Sequence, residues 1–367
     1  MTEFESLIEK DLPTKRPMST SIIKPEDGYP SRSLQVPAQR TPSRNPVVSY
    51  LASLSSKDSR RVQKTALDQI ATLLSSGRIE DSLEFPWEQL DYGVVTAIKA
   101  WLDTKYAPAT VNRYLCAVRR VLKEAWRHNL ITAEAYQRAT DVRSVSAQRL
   151  PTGRELETDE IKALITVCLE DKSNPVLGVR DAAIISLMYS SGLRRAEVVT
   201  LDLDDLDLKK HSLHVIGKRN KERSAFLAAG AVRAVEKWLS ARGTLPGPLF
   251  YAVNKSGKIV RFRKQRLSAK DKQRGEEPQQ IVARLSDQTI YNVIDRRAAQ
   301  AGLIKKTTPH DMRRTFVSDL LDVGVDLSTV SKMAGHEDTN TTMRYDRRSS
   351  KVMQDAAEKL DVPYPKD

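Results

Sequence analysis

Cysteine is nearly missing from this chain, and so is any long apolar run. Two cysteines in 367 residues, Cys116 and Cys168, cannot supply a disulfide framework or a Cys-rich zinc site. Both lie in apolar helical patterns, which predicts buried packing. No apolar stretch approaches the roughly 20 residues that cross a bilayer, and the opening MTEFESLIEKDLP lacks the basic-then-apolar order of a secretion signal. A cytoplasmic protein is expected. Dense carboxylate clusters are scarce as well. The run Leu201–Leu208 (LDLDDLDL) lacks the loop-forming glycine of a calcium loop and interleaves leucine too regularly, so it reads as a turn entering a strand. Neither a metal nor another cofactor is expected. No Walker phosphate loop occurs. What is abundant is positive charge: 60 Lys and Arg against 47 Asp and Glu leave a formal +13. Clustered cations gain affinity by releasing counterions from nucleic acid, although ribosomal, RNA-binding and membrane-surface proteins share this balance.

Residues 1–45 are rich in Pro, Ser and charge and show no apolar period, so they predict a disordered tail. From 46 to 146 the pattern is helical. After Pro108, Val111, Leu115, Val118, Leu122 and Trp126 recur every three or four residues and predict one buried stripe. Arg113, Arg119, Arg120, Lys123 and Arg127 occupy the other faces, a pattern that fits a phosphate backbone or, more commonly, a solvated basic surface. A linker over 147–153, with Pro151 and Gly153, precedes a second domain at 154–362. There Thr158 with Asp159 and Glu160 predicts a helix start, and an apolar helix around Ala182–Met188 stops at Ser191-Gly192. SLHVIGK and RSAFLAA alternate apolar and polar residues around Lys218-Arg219-Asn220-Lys221, predicting a β-hairpin with a basic tip. The segment at about 254–285, with Lys255, Lys258, Arg261, Arg263 and Lys264, is too polar to pack and reads as a loop or arm in contact with DNA. His128, His211 and His214 have no matching partner and are read as structural.

Four scattered clusters bear on chemistry: Gly192-Leu193-Arg194-Arg195-Ala196-Glu197; Gly217-Lys218; His310-Asp311-Met312-Arg313; and Gly335-His336 followed by Tyr345. Each alone is weak, since an HxxR on a helix is usually a surface pair and a lone tyrosine a half-buried aromatic. In this order and spacing they resemble the signature of the tyrosine recombinases, or phage-type integrases, including the Xer and Cre-like site-specific recombinases. The residue types fit that chemistry on their own terms. Breaking a phosphodiester needs a nucleophile, charge neutralisation at the phosphoryl oxygens and an acid for the leaving oxygen. Arg194 and Arg313 carry permanently charged forks that match a phosphate. His310 and Arg313, three apart, share a helix face, and Glu197 is placed to orient Arg194. Tyr345 can attack phosphorus and keep the bond energy in a covalent link, with no need for ATP.

By resemblance, Arg194, Lys218, His310, Arg313, His336 and Tyr345 are the catalytic set, with Tyr345 the nucleophile and Lys218 the general acid for the leaving 5′ oxygen. The resemblance implies an all-α, SAM-like core-binding domain plus a mixed α+β catalytic domain, closing as a C-shaped clamp on DNA. It also implies a 3′-phosphotyrosyl intermediate, a Holliday junction, and a tetramer on two DNA sites docked through a C-terminal helix at about 350–361. Two departures, Arg314 where many relatives have His and Ala334 where they have Leu, lie off the chemistry. The stretch between Lys218 and His310 is longer than in compact members and suggests an insertion. A mobile-element role in integration, excision or transposition is favoured. The alternatives are a type IB topoisomerase, a non-catalytic DNA-binding regulator and a basic RNA-binding protein.

Overall fold

The computed structural model describes residues 41–146, 153–217, 221–267, 273–336, 339–343 and 357. Residues 1–40 of the predicted tail, most of the linker, Lys218, Tyr345 and all but Ala357 of the terminal helix lie outside the described residues. The last residues of the expected tail are ordered: Pro42–Arg44 form a 3-10 turn and Asn45 is buried, because its side chain caps the helix that follows. The chain divides into two compact units, Met1–Arg149 and Leu150–Asp367. Among the described residues no helix is long and apolar enough to cross a membrane.

The described part of the first unit is all helical: α1 (Pro46–Ala52), α2 (Lys57–Leu74), α3 (Tyr92–Lys105), α4 (Pro108–Arg127) and α5 (Ala133–Thr140), with short 3-10 turns between. Asn45 caps α1, its Oδ1 accepting from the Val47 and Val48 backbone N–H groups, while Pro46 fills the first position, where a missing N–H costs nothing. Along α4, Val111, Leu115, Val118 and Leu122 are fully buried, each worth roughly 1.5–3 kcal/mol. Two expectations fail here. Trp126 is 38% exposed because it sits at the end of the stripe and stacks on Tyr136 of α5 at the surface. Cys116 is exposed, since it falls a full helical step off the stripe; only Cys168 is buried, and burial pushes its thiol up to about 12.

The second unit opens with α6 (Thr158–Leu169) and α7 (Pro175–Ser191). Helix α7 is apolar nearly all round, as a central helix must be, and packs against α6, α9 (Ala229–Arg242) and α11 (Pro309–Asp322). Between α7 and α9 come α8 (Arg195–Thr200) and an antiparallel sheet of β1 (Leu206–Asp207), β2 (Ser212–Ile216) and β3 (Glu222–Phe226). The β2–β3 register pairs Leu213 with Ala225 and Val215 with Arg223. The acidic run indeed forms a 3-10 turn leading into β1. The basic segment differs from the expected loop. It forms β5 (Ile259–Val260), paired with β4 (Ala252–Val253), and β6 (Phe262–Lys264), paired with β7 (Gln280–Val282). Short ladders satisfy its backbone even though its side chains are too polar for a core. Helices α10 (Asp287–Gln300), α11, α12 (Leu327–Ala334) and α13 (Thr339–Met343) complete the described unit.

A buried ion network braces this unit. Asp181, fully buried on α7, accepts hydrogen bonds from Arg180, Arg296 and Arg297, and Arg297 also reaches Asp171 at 2.8 Å. Two of the histidines read as structural have polar partners: His128 bonds the Ser49 hydroxyl at 2.8 Å and His214 meets Glu222 at 3.2 Å.

Candidate active site

Helix α11 starts where sequence says it must. Thr308 caps it, and its backbone N–H donates in return to the Asp311 carboxylate at 2.8 Å, while Pro309 occupies the first position. His310 and Arg313 therefore lie one turn apart on one face, with Phe316, Val317 and Leu321 buried behind them. Arg313 is 5% exposed, and its Nη1 donates to the Gly192 carbonyl at 2.6 Å. Gly192 ends α7 in the left-handed region, with φ of 59°; a Cβ there would sit 2.3 Å from a Phe316 ring carbon. Only glycine meets both demands.

Arg194 is held by a matching device. Its Nη1 donates to Glu197 Oε1 at 2.8 Å, its backbone N–H to Glu197 Oε2 at 2.9 Å, and its Nη2 to the Gly335 carbonyl at 2.9 Å. Gly335 ends α12 with φ of 64°. Each of the two arginines is thus anchored on the carbonyl of a glycine that terminates another helix, where the helix dipole favours a cation. The Arg194 side chain stays 39% exposed, within reach of an anion.

The electrostatics are those of an anion site. His336 Nδ1 lies 2.7 Å from the hydroxyl of Thr342, a fully buried residue of α13. Burial, reinforced by the charges of Arg313, Arg194, His310 and Arg223, pulls the His336 imidazole down to about 3. Burial and the charges of Arg313, Arg314 and Arg194 also hold His310 below its usual value, against the opposing pull of Asp311. Both imidazoles are therefore neutral at pH 7, each keeping one donor and one acceptor nitrogen. Burial pushes the Glu197 carboxyl up, but hydrogen bonds from Arg223 and Arg194 outweigh it and keep it ionised. Among the described residues no three His, Cys, Asp or Glu side chains cluster as a metal-ligand set.

Arg194, Glu197, His310, Arg313 and His336 thus come together, drawn from the start of α8, from α11 and from the residue that follows the Gly335 cap of α12. Lys218 and Tyr345 lie outside the described residues. Their described neighbours reach the same place: a Cβ on Gly217 would lie 3.4 Å from Glu197 Oε1, and Thr342 touches His336. The basic candidates divide. Lys255, Lys258, Arg263 and Lys264 are exposed, whereas Arg261 donates to the Arg242 carbonyl at 2.8 Å and lies over the Tyr251 ring. In the first unit Arg113 and Arg120 are exposed and Lys123 is half-buried. Arg119 is tied to the Val142 carbonyl and to Ser144, and Arg127 pairs with Glu124 at 2.8 Å. Arg314, read as lying off the chemistry, is fully buried and donates to the Gly153 carbonyl at 3.1 Å, clasping the start of the second unit. Sequence reasoning missed Arg223 and Thr342. The signal for Arg223 was a charged residue at an apolar step of strand alternation; for Thr342 none was visible.

The family model for the phage integrase family matches residues 154–351, more than half of the chain. The chain belongs to the phage integrase family of tyrosine recombinases. This tyrosine recombinase is 33% identical over 261 residues to the tyrosine recombinase XerD of Lacticaseibacillus casei, covering 71% of this chain and 79% of that one. It is 29% identical over 258 residues to the tyrosine recombinase XerC of Myxococcus xanthus, covering 69% and 77%. Solved tyrosine recombinases share its fold. The Tn1549 transposon integrase in complex with transposon right end DNA superposes with a TM-score of 0.61 at 14% identity, over 87% of this chain and 100% of that one. A lambda integrase dimer bound to a core site gives 0.56 at 14% identity, over 82% and 94%.

Proposed function

We propose that this recombinase cuts and rejoins duplex DNA through a 3′-phosphotyrosyl bond made by Tyr345. The observation that carries the reading is the pair of cross-anchored guanidinium groups, Arg194 on Gly335 and Arg313 on Gly192. Arg194 and Arg313 hold the non-bridging oxygens of the scissile phosphate, and His310 and His336 donate to the same phosphoryl group. The Tyr345 hydroxyl attacks phosphorus and passes its proton to the acceptor nitrogen of the His310 imidazole, the bond from phosphorus to the 5′ oxygen breaks, and Lys218 supplies the proton to that oxygen. The energy of the broken bond is kept in the phosphotyrosine, so rejoining by the reverse attack needs no ATP.

In this reading residues 46–146 form the core-binding domain, 147–153 the linker and 154–362 the catalytic domain, the two closing as a C-shaped clamp around DNA. Arg113, Arg120 and Lys123, together with Lys255, Lys258, Arg263 and Lys264, contact the phosphate backbone. Four protomers assemble on two sites, the helix at about 350–361 docking on a neighbour, and exchange strands by way of a Holliday junction. The insertion between Lys218 and His310 favours a mobile element as the substrate. The test is incubation of wild type and Tyr345→Phe with nicked suicide duplexes drawn from a randomised pool. A covalent adduct with wild type, absent with Tyr345→Phe, supports the reading. Bound duplex without adduct would turn it to a DNA-binding regulator, and plasmid relaxation without joining of two sites to a topoisomerase.

A further inference from the structure

The β2–β3 hairpin carries a guanidinium in an apolar slot. Along its inward face Leu213, Val215 and Ala225 are buried, and the fourth position is Arg223, paired with Val215 and only 13% exposed at its side chain. A charge placed there is costly unless it is fully paired. Arg223 forks onto Glu197, Nη1 to Oε1 at 3.0 Å and Nη2 to Oε2 at 2.9 Å. Those oxygens already accept the Arg194 Nη1 and backbone N–H. Four donors on one carboxylate fill its acceptor sites. The stem of the same side chain lies flat on Gly335, where a Cβ would come 3.0 Å from Arg223 Cδ and Nε. Gly335 supplies the other anchor of Arg194. Arg223 therefore touches both groups that hold Arg194.

We propose that Arg223 is the positioning residue of the arginine clamp. By fixing Glu197 and Gly335 it sets Arg194, and it ties that setting to β3, so that a shift of the hairpin is transmitted through the fork to Arg194. Lysine could not substitute, since an ammonium neither forks across two carboxylate oxygens nor packs flat on a glycine. The inference rests on the function proposed above.

The groups facing Glu197 are Arg194 and Arg223; those facing His336 are Arg313, Arg194, His310, Arg223 and the Thr342 hydroxyl. Arg223 holds both titratable groups down, so removing its charge lets both rise. The experiment follows single-turnover adduct formation against pH for full-length wild type, Arg223→Gln and Arg223→Lys, on a nicked duplex selected for capture by wild type. Arg223→Gln is expected to bind the duplex as wild type does and to react about a hundredfold more slowly, the order of loss for an ångström of misplacement. The acid limb of its profile moves to higher pH. Arg223→Lys is expected to keep the wild-type acid limb while reacting about tenfold more slowly, because charge survives and the fork does not. A wild-type rate in either variant overturns the inference. So does an equal loss in both with an unmoved acid limb, which would make Arg223 a packing residue only. If Arg223→Gln fails to fold, the rate of Arg223→Lys decides. Wild type that binds duplex without forming adduct overturns the underlying function, and this inference with it.

Discussion

Gly192→Ala strikes the point where the fold holds the chemistry. Alanine in the left-handed region costs about 1–2 kcal/mol, and the new Cβ, 2.3 Å from a Phe316 ring carbon, adds an overpacking cost of about 1–3 kcal/mol. Together these give about 2–5 kcal/mol. For a unit spanning Leu150–Asp367 that lowers the melting temperature by about 10 °C. The carbonyl of the same residue anchors Arg313, so relief of the clash moves a phosphate-binding group, and adduct formation falls about a hundredfold. Gly302→Ala is the control: its φ is 70° and no atom lies within 4 Å of an added Cβ, so only the backbone cost applies and cleavage is unchanged. Thermal melting and suicide-substrate kinetics read both quantities. Gly192→Ala that melts with the Gly302→Ala control and cleaves like wild type would refute the reasoning.

Thr342→Val removes the hydroxyl that bonds His336 Nδ1 and should slow adduct formation about five- to tenfold, with Thr342→Ser restoring it; single-turnover rates decide. Burial pushes the Asp171 carboxyl up, but hydrogen bonds from Ser173, Arg297 and the Asn174 backbone bring it to about 2. A depressed folded value means its stabilisation is complete above the unfolded value near 3.9 and lost as pH falls towards 2. Urea denaturation across that window should show a smaller loss in Asp171→Asn than in wild type, since Glu160 and Glu197, also held down, titrate in both. Changing Arg263 and Lys264 together to Ala should lower the salt dependence of duplex binding by about 1.8 in log–log slope, as for two lost phosphate contacts, measured by binding at several salt concentrations.

What sequence disclosed followed from local physics. The α4 stripe, the stop of α7 at Gly192, the hairpin and the shared face of His310 and Arg313 each follow from periodicity, a left-handed glycine or spacing. What stayed hidden depended on partners far along the chain. Arg223 shows in the sequence only as a charge at an apolar step of its strand; its role appears once the register sets it opposite Val215 and over Gly335, more than a hundred residues away. Arg119 and Arg261 look like free cations until loops fold back on them. The structural role of Arg314 shows only once Gly153 is found beside it. The basic segment looks unstructured because its strands are two or three residues long, too short for an alternation to show.

The most direct test of the central claim is to isolate the covalent adduct formed by wild type on a suicide duplex, digest it, and identify the linked peptide and nucleotide end by mass spectrometry. The account predicts a 3′-phosphate joined to Tyr345. A 5′ linkage, or attachment to any other side chain, would contradict it.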